Sequence, residues 1–506
     1  MHHASKAYRQ LGPRFTPGMT DLAAPPTGAE PQRFGPRRVR RNWSTPTALI
    51  GSAALVVAAS TVFAIVAIAT SGQVRSGFDA IGHSEAPQVV ATNDLVYSLN
   101  DMDANLANVL MVGDKQLGPG IDRASFAKLF EQDRAAADHD LQLAAIHAGP
   151  DGAAAQQVGQ ALDALGSYEA LAAQVMYSDA GHADRPAGQV PADESALFAK
   201  ATDLMQQTVL PAAKTVAASN GAALESSYED RHDTAEAAVW WIAGSGVLVV
   251  AALGGVQLLL FRRANRLLNP GLAAATVLTL ALTVWGMSAM SSSAEHLRGA
   301  KKDAFDSVAA LTAAKALSTD ANADESRIIV DPSRAAKYQD SYLAKSEQLM
   351  DLGSGVTLQT YDSAAQSALD TYFGDPVRHP VTFGGYFGAE LRNITFPGER
   401  AAAEQVLRAY QVYEVDDREL RQKLATDLPE AIRFDTSPAA SDSDGAFVAY
   451  SGALQNVIDI NSRAFGTSID AGLSGLRPWP WVPLGGAVTV VVLLVIGMRP
   501  RLAEYR

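Results

Sequence analysis

Four uncharged apolar segments constrain this 506-residue chain more than any other feature of its sequence. They cover residues 47–70, 238–261, 270–290 and 481–498, close to the roughly 20 apolar residues that a helix needs to cross a bilayer. Because a backbone inside a bilayer must satisfy its own hydrogen bonds, we predict four transmembrane helices. The mean hydropathy of the chain is only +0.01, since long polar segments offset the apolar ones.

A secretory signal peptide is the alternative interpretation of the first apolar segment. The apolar core of residues 47–70 is longer than that of a typical signal peptide, and no small-residue cleavage site stands out after it. We therefore expect this segment to remain in the protein as its first span.

The charges beside the spans predict their orientation. Residues 1–44 carry eight basic and two acidic side chains, residues 262–269 carry three arginines, and residues 499–506 have a net charge of +2. The net charge of the chain is −13, so the two long polar segments, 71–237 and 291–480, together carry −24. Basic connections stay in the cytoplasm. We expect a multi-pass plasma-membrane protein with cytoplasmic termini, a cytoplasmic loop at 262–269 and two extracytoplasmic domains.

Tryptophans support the same orientation. Trp240 and Trp241 begin the second span, and Trp479 and Trp481 begin the fourth, as an aromatic belt at the outer interface requires. Trp43 has the corresponding place at the inner interface.

Both polar segments have the apolar spacing of α-helices, with apolar side chains recurring every three or four residues. The first stripe is Leu95, Leu99, Met102, Leu106 and Val109, and the second is Phe447, Tyr450, Leu454, Val457, Asn461 and Phe465. Glycine and proline interrupt the pattern at 117–120, 184–191 and 331–332, where helix hairpins need breaks. We predict an all-α membrane protein in which residues 71–237 and 291–480 each form a four-helix bundle standing on two transmembrane helices.

Short matches at one offset indicate a tandem duplication. Asp103-Ala104-Asn105 recurs as Asp320-Ala321-Asn322, and Asp114 recurs as Asp331, in both cases 217 residues later. The polar residues that mark this internal repeat are Asp103, Asn105, Asp320, Asn322, Asp324 and Glu325. Asp324 and Glu325, with Arg327, are more typical of a surface charge cluster, and a site for a ligand with an amino-acid head group is the alternative.

The second polar segment contains an aromatic- and glycine-rich stretch that the first one lacks. A bundle corner plugged by its own aromatic side chains is one interpretation, and a docking surface is the other, because aromatic residues are enriched at interfaces. The candidate partner-binding residues are Tyr372, Phe383, Tyr386, Phe387, Asn393, Phe396 and Glu399. Glu399 is placed for the positive N-terminal end of the helix that follows.

The N-terminal residues 1–44 contain six prolines and almost no apolar periodicity, so we expect a disordered tail. Its arginines between 37 and 41 are typical of a topology signal and a contact with anionic lipid. A partner-binding tail is the alternative.

No signature of catalysis is present in the sequence. The chain has no cysteine and lacks common nucleotide, zinc-protease and hydrolase motifs. His139 and His147 are about 12 Å apart along a helix, too far to bind one metal ion together. The acidic total argues against nucleic-acid binding. We therefore expect no enzyme activity, no cofactor and no metal.

The chain is similar to two kinds of bacterial sensor. The residues that carry the similarity are Asp103–Asn105, Met111–Gly113, Tyr168 and Leu210-Pro211 in the first half, and Ala323–Ser326, Asn393–Glu399, Phe447, Asn461 and Phe465 in the second. Each span–bundle–span unit resembles the sensor half of chemoreceptors and related sensor kinases. The whole chain resembles the actinobacterial four-span membrane sensor of the GlnX type, although residues 174–188 are more polar than that pattern.

The resemblance implies a non-enzymatic role between two partners. In the GlnX-type family, a solute-binding lipoprotein for acidic amino acids and their amides reports outside, and the soluble Ser/Thr protein kinase G responds inside. We therefore expect a transmembrane signal transducer for amino-acid sensing. A non-sensing scaffold or transport-accessory protein is the alternative, as is direct recognition of a small molecule between the helices. The oligomeric state stays open.

Overall fold

The structure is a computed structural model that describes residues 45–113, 117–118, 121–148, 152–182, 184–264, 269–375 and 377–503. These residues are helical and contain no β-strand, which confirms the all-α prediction. The predictions for the tail at 1–44 and for Asp114 lie outside the described residues.

Fifteen α-helices make up the described part of the chain. In order they are α1 Thr45–Ala80, α2 Ala86–Val112, α3 Arg123–Ala148, α4 Ala153–Ala180, α5 Ala192–Leu204, α6 Leu210–Ala264, α7 Pro270–Arg298, α8 Asp306–Val330, α9 Ala335–Leu349, α10 Tyr361–Gly374, α11 Gly385–Asn393, α12 Glu399–Thr426, α13 Leu428–Thr436, α14 Ser443–Gly475 and α15 Val482–Ala503.

The four apolar segments lie in α1, α6, α7 and α15, which are long and apolar enough to cross a membrane. These helices pack in a ring, α1 on α6, α6 on α7, α7 on α15 and α15 on α1. Side chains such as Ile65 and Val284 face outward, as contact with lipid requires. Gly246 lets α6 approach α7 closely, since an added Cβ would lie 2.2 Å from the Thr283 hydroxyl.

Three of these four candidate spanning helices continue into the polar segments without a break in the helix. A π-helical turn at Ile81–Glu85 joins α1 to α2, and another at Gly299–Phe305 joins α7 to α8. A third at Met205–Val209 joins α5 to α6. The first polar segment therefore has four helical legs, with the predicted stripe from Leu95 to Val109 buried along one of them.

The second polar segment differs from the prediction of four helices. It contains seven helices, α8–α14. Breaks explain the difference. Gly353 and Gly355 adopt positive φ angles in the loop after α9, and Gly385 does so at the start of α11. An L side chain is strained in that region of backbone space, so the chain turns at these glycines.

The tryptophan prediction is wrong for one residue. Trp240, Trp241 and Trp481 are well exposed on the surface of the helices, as lipid-interface residues are. Trp479 is instead buried, and its ring stacks on Trp285 with the centroids 5.0 Å apart. A tight turn causes this, since the Trp479 amide donates to the carbonyl of Leu476 and directs the chain inward before α15.

The two polar segments lie side by side, with α2 packed along α8. Nearer the spans, α1 crosses α14 at two glycines. An added Cβ on Gly82 would lie 2.7 Å from Ile469, and one on Gly472 would lie 2.3 Å from Phe78. Close packing therefore joins the two halves from the spans up to the polar segments.

Candidate functional site

Three of the polar residues that mark the repeat, Asp103, Asp320 and Asp324, meet at the contact between α2 and α8. Arg327 of α8 donates from Nη2 to Asp103 Oδ2 of α2 at 2.8 Å. From Nη1 it reaches Asp320 Oδ1 at 2.9 Å and Asp324 Oδ1 at 2.6 Å. Lys345 of α9 lies 2.6 Å from Asp324 and 2.9 Å from Asp320. We call these five residues the Arg327 cluster.

Helical spacing explains why α8 supplies three members of the cluster. Asp320, Asp324 and Arg327 lie four and three residues apart, so they share one face of the helix. That face meets Asp103, which continues the buried stripe of α2 beside Met102. The apolar packing of the two helices thus brings the charges together.

The interpretation of Asp324, Glu325 and Arg327 as a surface cluster is wrong. Arg327 is 0% exposed, and both acidic residues are almost fully buried. The reason is that α8 is covered on several sides, by α2, α9 and α14. A buried charge is tolerated only when it is paired and hydrogen-bonded, as Arg327 and Asp324 are.

Further hydrogen bonds connect the Arg327 cluster to the rest of the first polar segment. Tyr168 of α4 donates to Asp103 Oδ1 at 3.1 Å, and Thr202 of α5 donates to the same oxygen at 3.2 Å. Gln206 donates to Asp320 Oδ1 at 3.0 Å. One buried site therefore depends on the relative positions of α2, α4, α5, α8 and α9.

The two cations of the cluster favour the ionised form of Asp320. Burial by itself raises the pKa of Asp320, but Lys345 and Arg327 outweigh burial and hold that pKa below its ordinary value. For Arg327, burial by itself lowers the pKa. The three carboxylates around it outweigh burial and raise that pKa well above its ordinary value. Three negative charges face two positive ones, so removal of either cation leaves carboxylates without compensation.

Glu325 belongs to a second group, on another side of α8. It accepts a hydrogen bond from Tyr413 at 2.8 Å and one from Ser443 at 3.4 Å. Nearby lie Glu414, Asp417 and Asp435, with Arg421 paired to Asp417. We call Glu325, Glu414, Asp417, Asp435 and Arg421 the acidic cluster.

Burial raises the pKa of each carboxyl group in the acidic cluster. Burial and then Asp417 raise the pKa of Glu414 to about 8, and burial and then Asp444 raise the pKa of Asp435 to about 7. Burial also raises the pKa of Asp417 to about 6 against the effect of Arg421. Burial, Asp417 and Asp435 place the pKa of Glu325 well above its usual value. Part of this cluster is therefore protonated near neutral pH.

The two other markers of the repeat make different contacts. Asn105 donates to Asp133 of α3 at 2.9 Å, and Asn322 is half-buried with its amide 3.4 Å from Glu325. Three of the six markers, Asp103, Asp320 and Asp324, are thus brought to one site.

The aromatic candidates lie mostly inside the second polar segment. Tyr372, Phe383 and Phe387 are buried, and the ring of Phe387 packs edge-on against Tyr410 at 4.9 Å. These three side chains have the burial that the plugged-corner interpretation expects. Tyr386 and Phe396 are partly exposed.

Asn393 and Glu399 position the chain before α12. Glu399 Oε2 accepts from the backbone amides of Thr395 and Phe396 in the loop before α12, at 2.7 and 2.8 Å. Its carboxylate also lies in the first turn of α12, where the helix dipole favours a negative charge. Asn393 donates to Ser307 of α8 at 2.9 Å. Both side chains therefore fix a loop of the second polar segment.

Sequence reasoning missed Lys345 and gave Arg327 the wrong environment. The spacing of α8 could have placed Arg327 on the face of Asp320, but it contains no signal that α2 covers that face. Within the described residues, no group of His, Cys, Asp or Glu side chains has the arrangement of a metal site. The side chain of His147 lies outside the described residues.

Comparison with known proteins gives one match. Residues 77–229 match the model of a family described as an actinobacterial sensor domain. No curated protein and no solved structure matches the chain. The matched stretch contains α2–α5 and includes Asp103 and Tyr168. The first polar segment of this helical chain, which has four candidate membrane-spanning helices, is therefore similar to an actinobacterial sensor domain, and this supports a sensor or signal-related role.

Proposed function

We propose that this protein is a non-enzymatic transmembrane signal transducer. Its polar segments receive an extracytoplasmic cue, and shifts of its spanning helices pass the cue to a cytoplasmic protein. The observation that carries the proposal is the continuity of two helical rods, α1–α2 and α7–α8, from the spans to the Arg327 cluster.

Helix geometry gives this continuity a mechanical meaning. Asp103 lies about 50 Å beyond the end of the first span, and Arg327 about 55 Å beyond the end of the third. Both residues belong to helices that continue into the membrane-spanning segments through one π-helical turn each. A change at the α2–α8 contact therefore moves the two rods relative to one another, and the spans with them.

The proposed partners are an amino-acid-loaded solute-binding lipoprotein outside and a Ser/Thr protein kinase inside. The resemblance to GlnX-type sensors supports both, and the match to a sensor domain is consistent with it. Full-length protein in lipid nanodiscs, mixed with the purified lipoprotein with and without amino acid, tests the outer partner. We expect retention of the lipoprotein that depends on the amino acid. Absence of binding in both states would refute the lipoprotein as the partner.

A disulfide assay separates a transducer from a non-sensing scaffold. The chain has no cysteine, so introduced pairs have no background. Gly77 of α1 faces Arg231 of α6, with an added Cβ 3.3 Å from the arginine side chain. We expect the rate of disulfide formation in the Gly77→Cys/Arg231→Cys variant to change when the loaded lipoprotein is added. An unchanged rate despite lipoprotein binding would favour the scaffold.

A further inference from the structure

Two buried carboxylates that form no ion pair among the described residues lie in the second polar segment. Glu390 of α11 is 6% exposed, and Glu399, in the first turn of α12, is 0% exposed. Burial, with a further contribution from the charge of Glu399, raises the pKa of Glu390 to about 7. Ser307 and Asn461 act in the opposite direction, and none of these groups is basic. A buried carboxylate of this kind binds a cation or takes up a proton.

Two more oxygen-bearing side chains lie within hydrogen-bonding range of Glu390, those of Ser307 of α8 and Asn461 of α14. Asn461 is 0% exposed, and its Nδ2 atom donates to the carbonyl of Val457 at 3.2 Å. Its Oδ1 atom is buried without a donor, as are Glu390 Oε1 and Glu399 Oε1. Three orphaned oxygens from three helices therefore belong to one buried group. We call Ser307, Glu390, Glu399 and Asn461 the Glu390 group.

The charges and the orphaned oxygens of the Glu390 group together favour a divalent cation over a proton. A proton on Glu390 supplies one donor, which leaves one of the other two acceptors without a partner and one negative charge buried. A monovalent cation likewise leaves one negative charge. A divalent cation cancels the charges of Glu390 and Glu399 and provides a partner for all three oxygens at once.

We infer that the Glu390 group is a binding site for one divalent cation. Carboxylate, amide and hydroxyl oxygens are the ligands that Ca²⁺ and Mg²⁺ prefer. Ca²⁺ accepts oxygens in a flexible geometry, whereas Mg²⁺ demands a near-ideal octahedron, so ligands from four separate helices favour Ca²⁺. Only two of these ligands are carboxylates. The site is therefore of another kind than a group of His, Cys, Asp and Glu side chains, which the described part of the chain lacks.

The position of the site connects its occupancy to the rod α7–α8. Ser307 is the second residue of α8, directly after the π-helical turn at Gly299–Phe305. Asn461 belongs to α14, which leads to the turn before α15. A cation that binds both helices stabilises only the arrangement in which their ligands converge. Binding therefore fixes the start of α8 against α14.

Removal and return of Ca²⁺ test the site on the full-length protein in detergent. After treatment with EDTA and removal of the chelator, calorimetry should show a saturable Ca²⁺ site with one ion per chain. We expect a Kd of about 10⁻⁴–10⁻³ M, as in extracellular Ca²⁺ modules. Ca²⁺ at about 10 mM should raise the unfolding midpoint by several degrees, because the unfolded chain does not hold the four ligands together. NaCl of equal ionic strength controls for screening and should not reproduce this shift.

Two substitutions test the location. Glu390→Gln keeps the shape of the side chain and removes one charge, so it should abolish this Ca²⁺ site and the shift of the midpoint. In EDTA the same variant should unfold at the midpoint of the parent chain or above it, because it removes an uncompensated buried charge. Loss of the Ca²⁺ response is then separate from loss of folding. Asn461→Leu removes the orphaned amide oxygen and should weaken Ca²⁺ binding at least about tenfold.

Glu419→Gln is the matched control on α12, since it removes a carboxylate that is 50% exposed and lies 3.2 Å from Lys423. It should bind Ca²⁺ like the parent chain. The inference is overturned if the parent chain does not bind Ca²⁺ or if Glu390→Gln retains the site. A midpoint that ignores Ca²⁺ but depends less on pH in Glu390→Gln would show that the pair of glutamates holds a proton, which also overturns it. None of these results depends on the lipoprotein, so they leave the proposed function standing.

Discussion

Arg327 compensates three carboxylates that come from two helices more than 200 residues apart in the chain. Arg327 and its carboxylate partners are shielded from water. Removal of the arginine would therefore leave buried carboxylates that solvent does not stabilise. The residue therefore links the stability of one half to the position of the other.

We expect Arg327→Met to destabilise the protein strongly. Breaking a buried ion pair from one side costs about 3–5 kcal/mol, because the remaining charges stay buried without compensation. Asp103→Asn should cost less, since it reduces the excess of carboxylates in the cluster. Thermal unfolding followed by circular dichroism in detergent measures both.

Arg408→Met is the control for Arg327→Met. Arg408 is 58% exposed and lies 3.7 Å from Glu404, and exposed pairs of this kind contribute about 0–1 kcal/mol. Equal unfolding midpoints for Arg327→Met and Arg408→Met would contradict the role given to the cluster.

The acidic cluster predicts a stability that falls as the pH rises from about 4.5 to about 8. Burial and then Asp417 raise the pKa of Glu414 from 4.5 to about 8. The folded state therefore keeps this proton up to a higher pH than the unfolded state does. The unfolded state then binds fewer protons, and the free energy of unfolding falls with rising pH in that window. We expect a higher unfolding midpoint at pH 5 than at pH 8.

Glu414→Gln is the matched test of this pH dependence. The amide resembles the protonated carboxyl group in shape and carries no charge at either pH. Its midpoint should therefore differ less between pH 5 and pH 8 than that of the parent chain.

At still lower pH, the free energy of unfolding falls as the pH falls. Protonation of Asp320, whose pKa Lys345 and Arg327 hold low against the effect of burial, then removes charge from the Arg327 cluster.

At the level of residues, sequence could select Asp103 and Asp320 but not their environment. The repeated Asp-Ala-Asn triplets single them out, and the structure brings both to Arg327. Their burial follows from the packing of α2 on α8, which no local pattern specifies. Lys345 has no sequence signal, because a lone lysine on an amphipathic helix is ordinarily solvated.

At the level of elements, the contact between α1 and α14 depends on glycine. Gly472 of α14 lies against the ring of Phe78, which is itself fully buried and cannot move aside easily. The same approach would be impossible for any residue with a Cβ unless the helices separate.

We expect Gly472→Ala to lower the unfolding midpoint. Overpacking of a filled contact costs about 1–3 kcal/mol, more than the roughly 1 kcal/mol that alanine contributes to a helix over glycine. Gly466→Ala is the control on the same helix, since its Cβ position meets no atom within 4 Å. Gly466→Ala should leave the midpoint unchanged or raise it. A decrease of equal size in both variants would point to the helix itself and not to the contact.

The elements show where sequence patterns suffice. The four candidate spanning helices follow from uninterrupted apolar length. Helix α8 ends at the predicted break at 331–332, whereas α2 and α4 end a few residues before the predicted breaks at 117–120 and 184–191. The division of the second polar segment into seven helices was not predicted. Its cause is a set of turns, such as those at Gly353 and Gly385, whose backbone angles depend on tertiary contacts.

At the level of the whole molecule, the distribution of charge predicts which side of the membrane each segment faces. Cysteines introduced at Tyr177 and Val377, both more than 80% exposed, should react with a membrane-impermeant maleimide on intact cells. A cysteine at Ser5, in the basic N-terminal tail, should react only after lysis. Labelling of Ser5→Cys on intact cells, without labelling of the other two, would reverse the predicted orientation.

The stacked pair of Trp285 and Trp479 gives the protein a built-in optical reporter. The two rings lie 5.0 Å apart, one on α7 and the other in the turn before α15, whereas Trp240, Trp241 and Trp481 are exposed on the outer face. Brominated lipids should quench the exposed rings more strongly than Trp479, which is buried. A change in the emission of Trp479 when its ring separates from that of Trp285 would then report movement of α7 against the turn before α15 without an attached label.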